Sequence, residues 1–148
     1  MLKTLTVLPL AVTLMAGVAL AQNGNPGSEF MEQWDMDSDG AVTLDELRTK
    51  RGEVFYMFDV EGDGALAASD WAGVAAHVQE EQKIKGGGHG AGGNGRGPGA
   101  AMHAAMTPEF NDADGNGDVT LAEFEAASDR LFAALDRNGD HIVSATDF

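Results

Sequence analysis

Apolar residues recur at helical spacing in two stretches of the chain, 44–58 and 121–135. Residues three or four positions apart lie on the same face of an α-helix, so each stretch predicts one amphipathic helix with a single apolar stripe. Gly52 is the weak point of the first helix, because glycine costs about 1 kcal/mol in a helix interior. The stripes comprise Leu44, Leu47, Val54, Phe55 and Phe58 in the first stretch and Leu121, Phe124, Leu131, Phe132 and Leu135 in the second.

Shorter segments carry helix signals as well. Ser28 is placed to cap a short helix that extends through Trp34. Thr107 and Pro108 form a strong helix start, with the threonine as cap and the proline in the first turn. A further amphipathic helix begins near Trp71 and fades at a glycine run. The sequence shows no sustained alternation typical of strands, so the predicted fold class is all-α.

The first long helix and its flanking residues reappear 77 positions later in the chain. Acidic and apolar positions repeat together, so the sequence predicts two related halves, 28–85 and 107–148. Between them lies a glycine-rich linker, 86–106, whose glycine-dense part has the composition of a flexible coil. The matched positions include Asp35, Asp37, Gly40, Val42, Thr43 and Glu46, which correspond to Asp112, Asp114, Gly117, Val119, Thr120 and Glu123.

Each half contains one acidic segment with the spacing D-x-[DN]-x-[DN]-G and a glutamate at the twelfth place. Ca²⁺ takes six to eight oxygen ligands at about 2.3–2.6 Å. Side chains at places 1, 3 and 5, the carbonyl at place 7, place 9 (often through water) and a bidentate glutamate at place 12 supply them. The candidate ligands are Asp35, Asp37, Asp39, the Ala41 carbonyl, Thr43 and Glu46 in loop I (35–46), and Asp112, Asp114, Asn116, the Asp118 carbonyl, Thr120 and Glu123 in loop III (112–123).

Two less regular segments, loop II (59–70) and loop IV (136–147), follow the long helices. In loop II, Ala67 has no side-chain oxygen at place 9, and in loop IV, His141 replaces the turn glycine. Both loops end in aspartate, one methylene shorter than glutamate, so we expect weaker metal sites or structural loops that hold little metal. The sequence ends one residue after loop IV, so we expect its last ligand to lack an exit helix and to fray. The candidate ligands are Asp59, Glu61, Asp63, the Ala65 carbonyl and Asp70 in loop II, and Asp136, Asn138, Asp140, the Ile142 carbonyl, Ser144 and Asp147 in loop IV.

The distance between successive loops predicts the topology. Residues 47–58 are expected to continue one helix from residue 44, about 22 Å long, which would hold loops I and II at its opposite ends. Antiparallel packing of the two long helices would then join loop I to loop IV and loop II to loop III through short strands at place 8. A turn at Gly52 would instead allow loops I and II to pair. The strand partners expected from the antiparallel arrangement are Val42 with Val143 and Leu66 with Val119.

These loops and their flanking helices resemble the EF-hand superfamily over nearly the whole chain outside the N-terminal segment and the linker. The resemblance implies four helix-loop-helix units that bind calcium and pack in pairs. The close spacing is similar to that of compact exported bacterial EF-hand proteins and, in layout, to the lanthanide binder lanmodulin. The loops depart from lanmodulin, because place 2 holds Met36, Val60, Ala113 and Arg137 instead of proline. Calcium is the expected ion; magnesium is an alternative at the loops that end in aspartate, and a lanthanide is another.

The N-terminal residues have the pattern of a secretory signal peptide. Lys3 precedes an apolar run over 5–19, and Ala19 and Ala21 form a small-x-small cleavage site. The run is short for a membrane span of about 20 residues, so we expect removal of residues 1–21 rather than a membrane anchor. Residues 22–27 would form a flexible leader, and the mature chain, without a membrane span, would be periplasmic or secreted.

Cysteine content and net charge limit the classes of function that the chain can have. The chain has no cysteine, so disulfide bonds cannot stabilise it. For an exported protein of this size, this favours stabilisation by a bound metal ion. With 9 basic and 24 acidic residues, its net charge of −15 repels nucleic acid and anionic membranes. We expect an exported calcium buffer or calcium-stabilised binding protein. The alternatives are a calcium-dependent interaction or adhesion module with an unidentified protein partner, and a lanthanide-binding protein. No nucleophile–base arrangement or phosphate loop indicates an enzyme.

Overall fold

The computed structural model describes residues 27–84 and 97–148. The expected signal peptide and residues 86–96 of the expected linker lie outside the described residues. Helices dominate, with two small antiparallel strand pairs, which confirms the helical class, and no described helix is long and apolar enough to cross a membrane. In chain order the elements are α1 (Ser28–Trp34), β1 (Ala41–Val42), α2 (Leu44–Phe58), β2 (Ala65–Leu66), α3 (Ala68–Ile84), α4 (Gly99–Ala104), α5 (Pro108–Asn111), β3 (Val119–Thr120), α6 (Leu121–Leu135), β4 (Val143–Ser144) and a 3₁₀ helix (Ala145–Asp147).

Helix α2 is continuous, as its apolar spacing predicts, and Gly52 lies inside it without a break. A capping box starts the helix: the Thr43 side chain accepts the Glu46 N–H, and the Glu46 side chain accepts the Thr43 N–H. Helix α6 begins with the same arrangement at Thr120 and Glu123. The repeat in the sequence therefore produces two long helices with matching starts.

The strands connect the two halves of the repeat. Strand β1 pairs with β4 and β2 pairs with β3, both antiparallel, so that Val42 faces Val143 and Leu66 faces Val119. Because β1 precedes α2 and β4 follows α6, the two long helices run antiparallel, and they pack along each other. The antiparallel topology is confirmed, and the alternative in which loops I and II pair is wrong.

Two apolar clusters fill the two ends of the α2–α6 contact, and each surrounds one strand pair. Both clusters draw residues from both halves, so burial of apolar surface, the main stabilising term in folding, holds the halves together. The first cluster comprises Phe30, Val42, Leu47, Ala105, Leu131, Phe132, Leu135 and Val143, and the second comprises Phe55, Phe58, Leu66, Trp71, Val74, Val119 and Phe124.

Two expected boundaries need correction. The range assigned to the linker, 86–106, includes helix α4, and Ala105 directly after it is fully buried in the first cluster. Alanine and methionine dominate this stretch and have high helix propensity, which the glycine content of the preceding residues obscured. Ser28 is the first residue of α1 rather than its cap, since Gly27 occupies the cap position.

We expect Gly52→Ala to stabilise the protein by about 0.5–1 kcal/mol, because alanine loses less backbone entropy in a helix interior. A Cβ atom at this position would meet the Glu125 Oε1 atom at 3.8 Å, an ordinary van der Waals distance. Chemical denaturation of the variant and the wild type measures the difference. Gly27→Ala serves as the contrast and should lose stability, because its Cβ would collide with the Phe148 ring at a φ of 154°. A less stable Gly52→Ala variant would contradict this account.

Candidate metal centres

The four acidic loops share one backbone conformation at the turn. Places 4 and 6 of each loop have positive φ, which residues other than glycine rarely adopt. His141, which replaces the turn glycine of loop IV, adopts this left-handed conformation with a φ of 70°. Loop IV therefore keeps the turn despite losing the glycine. The positive-φ residues are Ser38, Gly62, Gly115 and Gly139 at place 4, and Gly40, Gly64, Gly117 and His141 at place 6.

The aspartate at place 1 organises each turn through backbone hydrogen bonds. One carboxylate oxygen accepts the N–H of the place-6 residue, and the other accepts an N–H from place 4 or 5. These donors hold the first predicted ligand of every loop against its turn. The place-6 hydrogen bonds are Gly40 to Asp35 at 2.9 Å, Gly64 to Asp59 at 3.0 Å, Gly117 to Asp112 at 3.0 Å and His141 to Asp136 at 3.1 Å.

Carboxylates converge in loops I and III. In each loop, three ligand-type oxygens lie within 4.8 Å of one another. Two oxygens on opposite sides of a Ca²⁺ ion stand about 5 Å apart, twice the Ca–O distance, so this spacing fits the ion. Across 27–84 and 97–148, the acidic and histidine side chains of loops II and IV do not form such a group. The two convergent groups are Asp35, Asp37 and Asp39, and Asp112, Asp114 and Glu123.

Glutamate at place 12 closes loops I and III. In loop I, Glu46 Oε1 accepts the Met36 N–H at 3.0 Å, and Oε2 accepts the Thr43 N–H at 2.8 Å. Glu123 accepts the corresponding N–H groups of loop III. These hydrogen bonds, led by the backbone N–H at place 9, lower the pKa of both glutamates because they favour the charged carboxylate. Both side chains are therefore ionised at neutral pH and bridge the two ends of their loops.

Loop IV closes in the same way with a shorter side chain. Asp147 Oδ1 accepts the Arg137 N–H at 2.9 Å, and Oδ2 accepts the Ser144 N–H at 2.8 Å. Asp147 is buried and lies in the 3₁₀ helix, which is tighter than an α-helix. Although aspartate is one methylene shorter than glutamate, this turn brings the Asp147 carboxylate to the place-2 amide.

Loop II is the open loop. Asp70 Oδ2 accepts the Ala67 N–H at 2.9 Å, on its own side of the loop. The place-2 amide, that of Val60, donates instead to the Phe58 carbonyl at 2.9 Å. Asp70 lies in the first turn of an α-helix, α3, so no tighter turn compensates for its length. The Asp70 carboxylate therefore does not reach across the loop.

The other predicted ligands lie where the loop spacing places them. Ala41 and Ala65 belong to β1 and β2, whereas Asp118 and Ile142 immediately precede β3 and β4. The threonine hydroxyls at place 9 donate to the glutamate at place 12. Side chains at places 3 and 5 are exposed in all four loops and can rotate toward a cation: Asp37, Asp39, Glu61, Asp63, Asp114, Asn116, Asn138 and Asp140.

A buried polar contact between Arg51 and Asn111 was not predicted from the sequence. Arg51 is 1% exposed, and its Nη2 donates to Asn111 Oδ1 at 2.6 Å. A signal was present, because Arg51 lies four residues after Leu47 and four before Phe55, inside the apolar stripe. A charged residue at such a position is rarely buried without a specific partner.

Comparison with known proteins identifies one segment of the chain. A family model described as EF hand matches residues 29–49, which contain most of α1, loop I and the start of α2. None of the curated proteins matches the chain. The matched segment contains the first of the two convergent carboxylate groups.

We expect the free energy of unfolding, measured with a chelator present, to fall as the pH drops below about 5. The hydrogen bonds that lower the pKa of Glu46 and Glu123 stabilise the folded state fully at pH values above the ordinary glutamate pKa. This stabilisation is lost as the pH falls through the lowered pKa values and the carboxylates become protonated. Replacing both by glutamine should make this pH dependence shallower in denaturation experiments. Glu109→Gln, outside the loops, is the control. Parallel curves for the double variant and the wild type would contradict the assignment.

Proposed function

We propose that this chain belongs to the EF-hand superfamily, whose family model matches residues 29–49, and that it binds calcium ions at its acidic loops. The observation that carries this proposal is the convergence of three carboxylates within 4.8 Å in loop I and again in loop III. Loops II and IV repeat the same turn and the same place-1 hydrogen bonds. In this proposal they complete a set of four EF-hand units.

The residues present fit a hard divalent cation. Carboxylate, amide and carbonyl oxygens are the ligands that Ca²⁺ prefers. In loop III, Asp112, Asp114 and Glu123 would provide side-chain oxygens, and the Asp118 carbonyl would provide a backbone oxygen. The bound ion would supply positive charge that offsets repulsion among the carboxylates. The backbone N–H groups at the turn hold those side chains in place.

The loops should differ in affinity. Loops I and III have convergent carboxylates and a closing glutamate, loop IV is closed by aspartate, and loop II is open. We propose that loops I and III bind most tightly and that loop II binds most weakly. Each strand pair joins one regular loop to one irregular loop, so the regular member would organise its partner.

We further propose that the protein is exported and acts as a calcium buffer or a calcium-stabilised binding protein. The signal-peptide pattern over 1–21, the lack of cysteine and the net charge of −15 support this role. EF-hand proteins typically bind calcium without catalysing a reaction, and we propose the same here. Magnesium, lanthanide ions and a protein partner remain the alternatives that binding experiments address.

Calorimetric titration with Ca²⁺, Mg²⁺ and La³⁺ tests the function. We expect Glu46→Gln combined with Glu123→Gln to weaken calcium binding, because the bidentate closing ligands are lost. Calcium at 100 times its dissociation constant should raise the free energy of unfolding by about 2.7 kcal/mol per site. Glu109→Gln with Glu125→Gln removes the same charge outside the loops and should titrate like the wild type. A wild type that releases no heat and melts identically with calcium and with chelator would refute the proposal.

We expect Asp70→Glu to strengthen loop II. The longer side chain can reach the Val60 amide and close the loop, and one hydrogen bond contributes about 1 kcal/mol, or roughly fivefold in affinity. Trp71, directly after Asp70, reports the change by fluorescence during calcium titration. Asp147→Glu is the matched comparison, because loop IV is already closed, and it should gain less. Equal gains in calcium affinity for the two variants would show that loop closure does not cause the difference in affinity between loops II and IV.

A further inference from the structure

The guanidinium group of Arg51 is buried where α2 contacts the start of α6. Its Cζ atom lies 3.9 Å from the centre of the Phe124 ring. Its hydrogen-bond partners in the described part of the chain are neutral oxygens, those of Asn111, Phe124 and Ala105. A buried charge without a carboxylate partner is costly unless hydrogen bonds offset its desolvation. This desolvation cost suggests that Arg51 has a function besides packing in the core.

One nitrogen of Arg51 ties together the two ends of loop III. Its Nη2 donates to Asn111 Oδ1 at 2.6 Å and to the Phe124 carbonyl at 3.1 Å. Asn111 directly precedes Asp112 at place 1, and Phe124 directly follows Glu123 at place 12. Both of these carboxylates belong to the convergent group of loop III. The guanidinium therefore fixes the separation of the backbone segments that carry the first and last ligands.

Asn111 extends this tie into the entry to the loop. Its Nδ2 donates to the Ala105 carbonyl at 2.9 Å and to the Thr107 carbonyl at 2.7 Å. Arg51 Nη1 donates to the same Ala105 carbonyl at 3.4 Å. The entry helix α5 has only 4 residues, too few for its own hydrogen bonds to fix its direction. The contacts with Arg51 and Asn111 thus orient the chain that leads into loop III.

The tie is specific to loop III and is not a property of the repeat. The counterpart of Arg51, 77 positions later, is Ser128, a buried residue whose hydroxyl has no hydrogen-bond partner among the described residues. The counterpart of Asn111 is Trp34, which precedes loop I and stacks on Phe30 with ring centres 5.8 Å apart. Apolar packing therefore holds the entry to loop I, whereas a charged, directed contact holds the entry to loop III.

We propose that Arg51 is a positioning residue for cation binding at loop III, acting through Asn111 and the Phe124 carbonyl. The inference rests on the proposed calcium function. Loop II, the strand partner of loop III, is not closed by its own aspartate, so the affinity of this pair depends on loop III. Arg51 comes from the first half of the chain and aligns the ligands of a loop in the second half.

The chemistry of arginine suits this task. Its planar guanidinium presents donors in a fixed fork, whereas a lysine ammonium is a compact point charge on a flexible stem. Burial lowers the pKa of Arg51 to about 10, so the side chain stays protonated at neutral pH. Lysine at this position could not reproduce the set of directed hydrogen bonds.

The test uses Arg51→Met and Arg51→Lys in the full chain, in two single-tryptophan backgrounds. Trp34→Phe leaves Trp71 to report on loops II and III, whose apolar cluster contains it, and Trp71→Phe leaves Trp34 to report on loops I and IV. Calcium titrations followed by fluorescence should show affinity at Trp71 falling about tenfold or more in both variants, as for other residues that orient metal ligands. Affinity at Trp34 should not change.

Arg48→Met is the matched control. Arg48 lies on the same helix and pairs with Asp129 of α6 at 2.7 Å, but at an exposed position away from loop III, so the affinity at Trp71 should stay at the wild-type value. Equal losses at both tryptophans in the Arg51 variants would indicate general loss of packing and overturn the inference, as would unchanged affinity at Trp71. If Arg51→Met lacks helical circular dichroism, Arg51→Lys decides by the same criteria. A wild type with no calcium heat and no fluorescence response would refute the proposed function, and this inference with it.

Discussion

The antiparallel contact between α2 and α6 is the constraint on which the other features depend. Each helix is continuous over 15 residues, about 22 Å, so the loops at its two ends cannot meet. Each strand pair therefore joins a loop of one half of the chain to a loop of the other half, with Val42 opposite Val143 and Leu66 opposite Val119. Both apolar clusters mix residues from the two halves. Neither half contains a complete loop pair, so the repeat folds as one interlocked unit.

Helix capping and loop closure use the same side chains. Glu46 accepts the Thr43 N–H as the third residue of the α2 capping box and also accepts an N–H from the far end of loop I. Ser144 and Asp147 repeat the box on the 3₁₀ helix, and loop IV closes. In loop II, Ala67 has no hydroxyl to complete the box, and the loop stays open. The alanine at place 9 and the aspartate at place 12 of loop II therefore both contribute to the missing capping box and to the open loop.

Local periodicity predicted the long helices, and the loop spacing along those helices predicted the strand partners. The contact between Arg51 and Asn111, which are 60 positions apart, was not predicted, because no local pattern specifies it. The closure of loop IV was missed for another reason, since it depends on a 3₁₀ turn rather than on side-chain length. Helix α4 was hidden because composition assigned its residues to the preceding glycine run. The signal peptide stays a prediction from the sequence.

The two loop pairs are stabilised by different kinds of contact. Loops I and IV lie beside an aromatic group in which Phe30 stacks on Trp34 and meets Phe148 edge-on. Apolar contacts are non-directional and tolerate small shifts, which is sufficient where both loops close through their own carboxylates. Loops II and III include one open loop, and there the chain uses the hydrogen bonds of Arg51, which require defined distances and angles. Directed polar contacts thus occur in the pair whose own closing hydrogen bonds are incomplete.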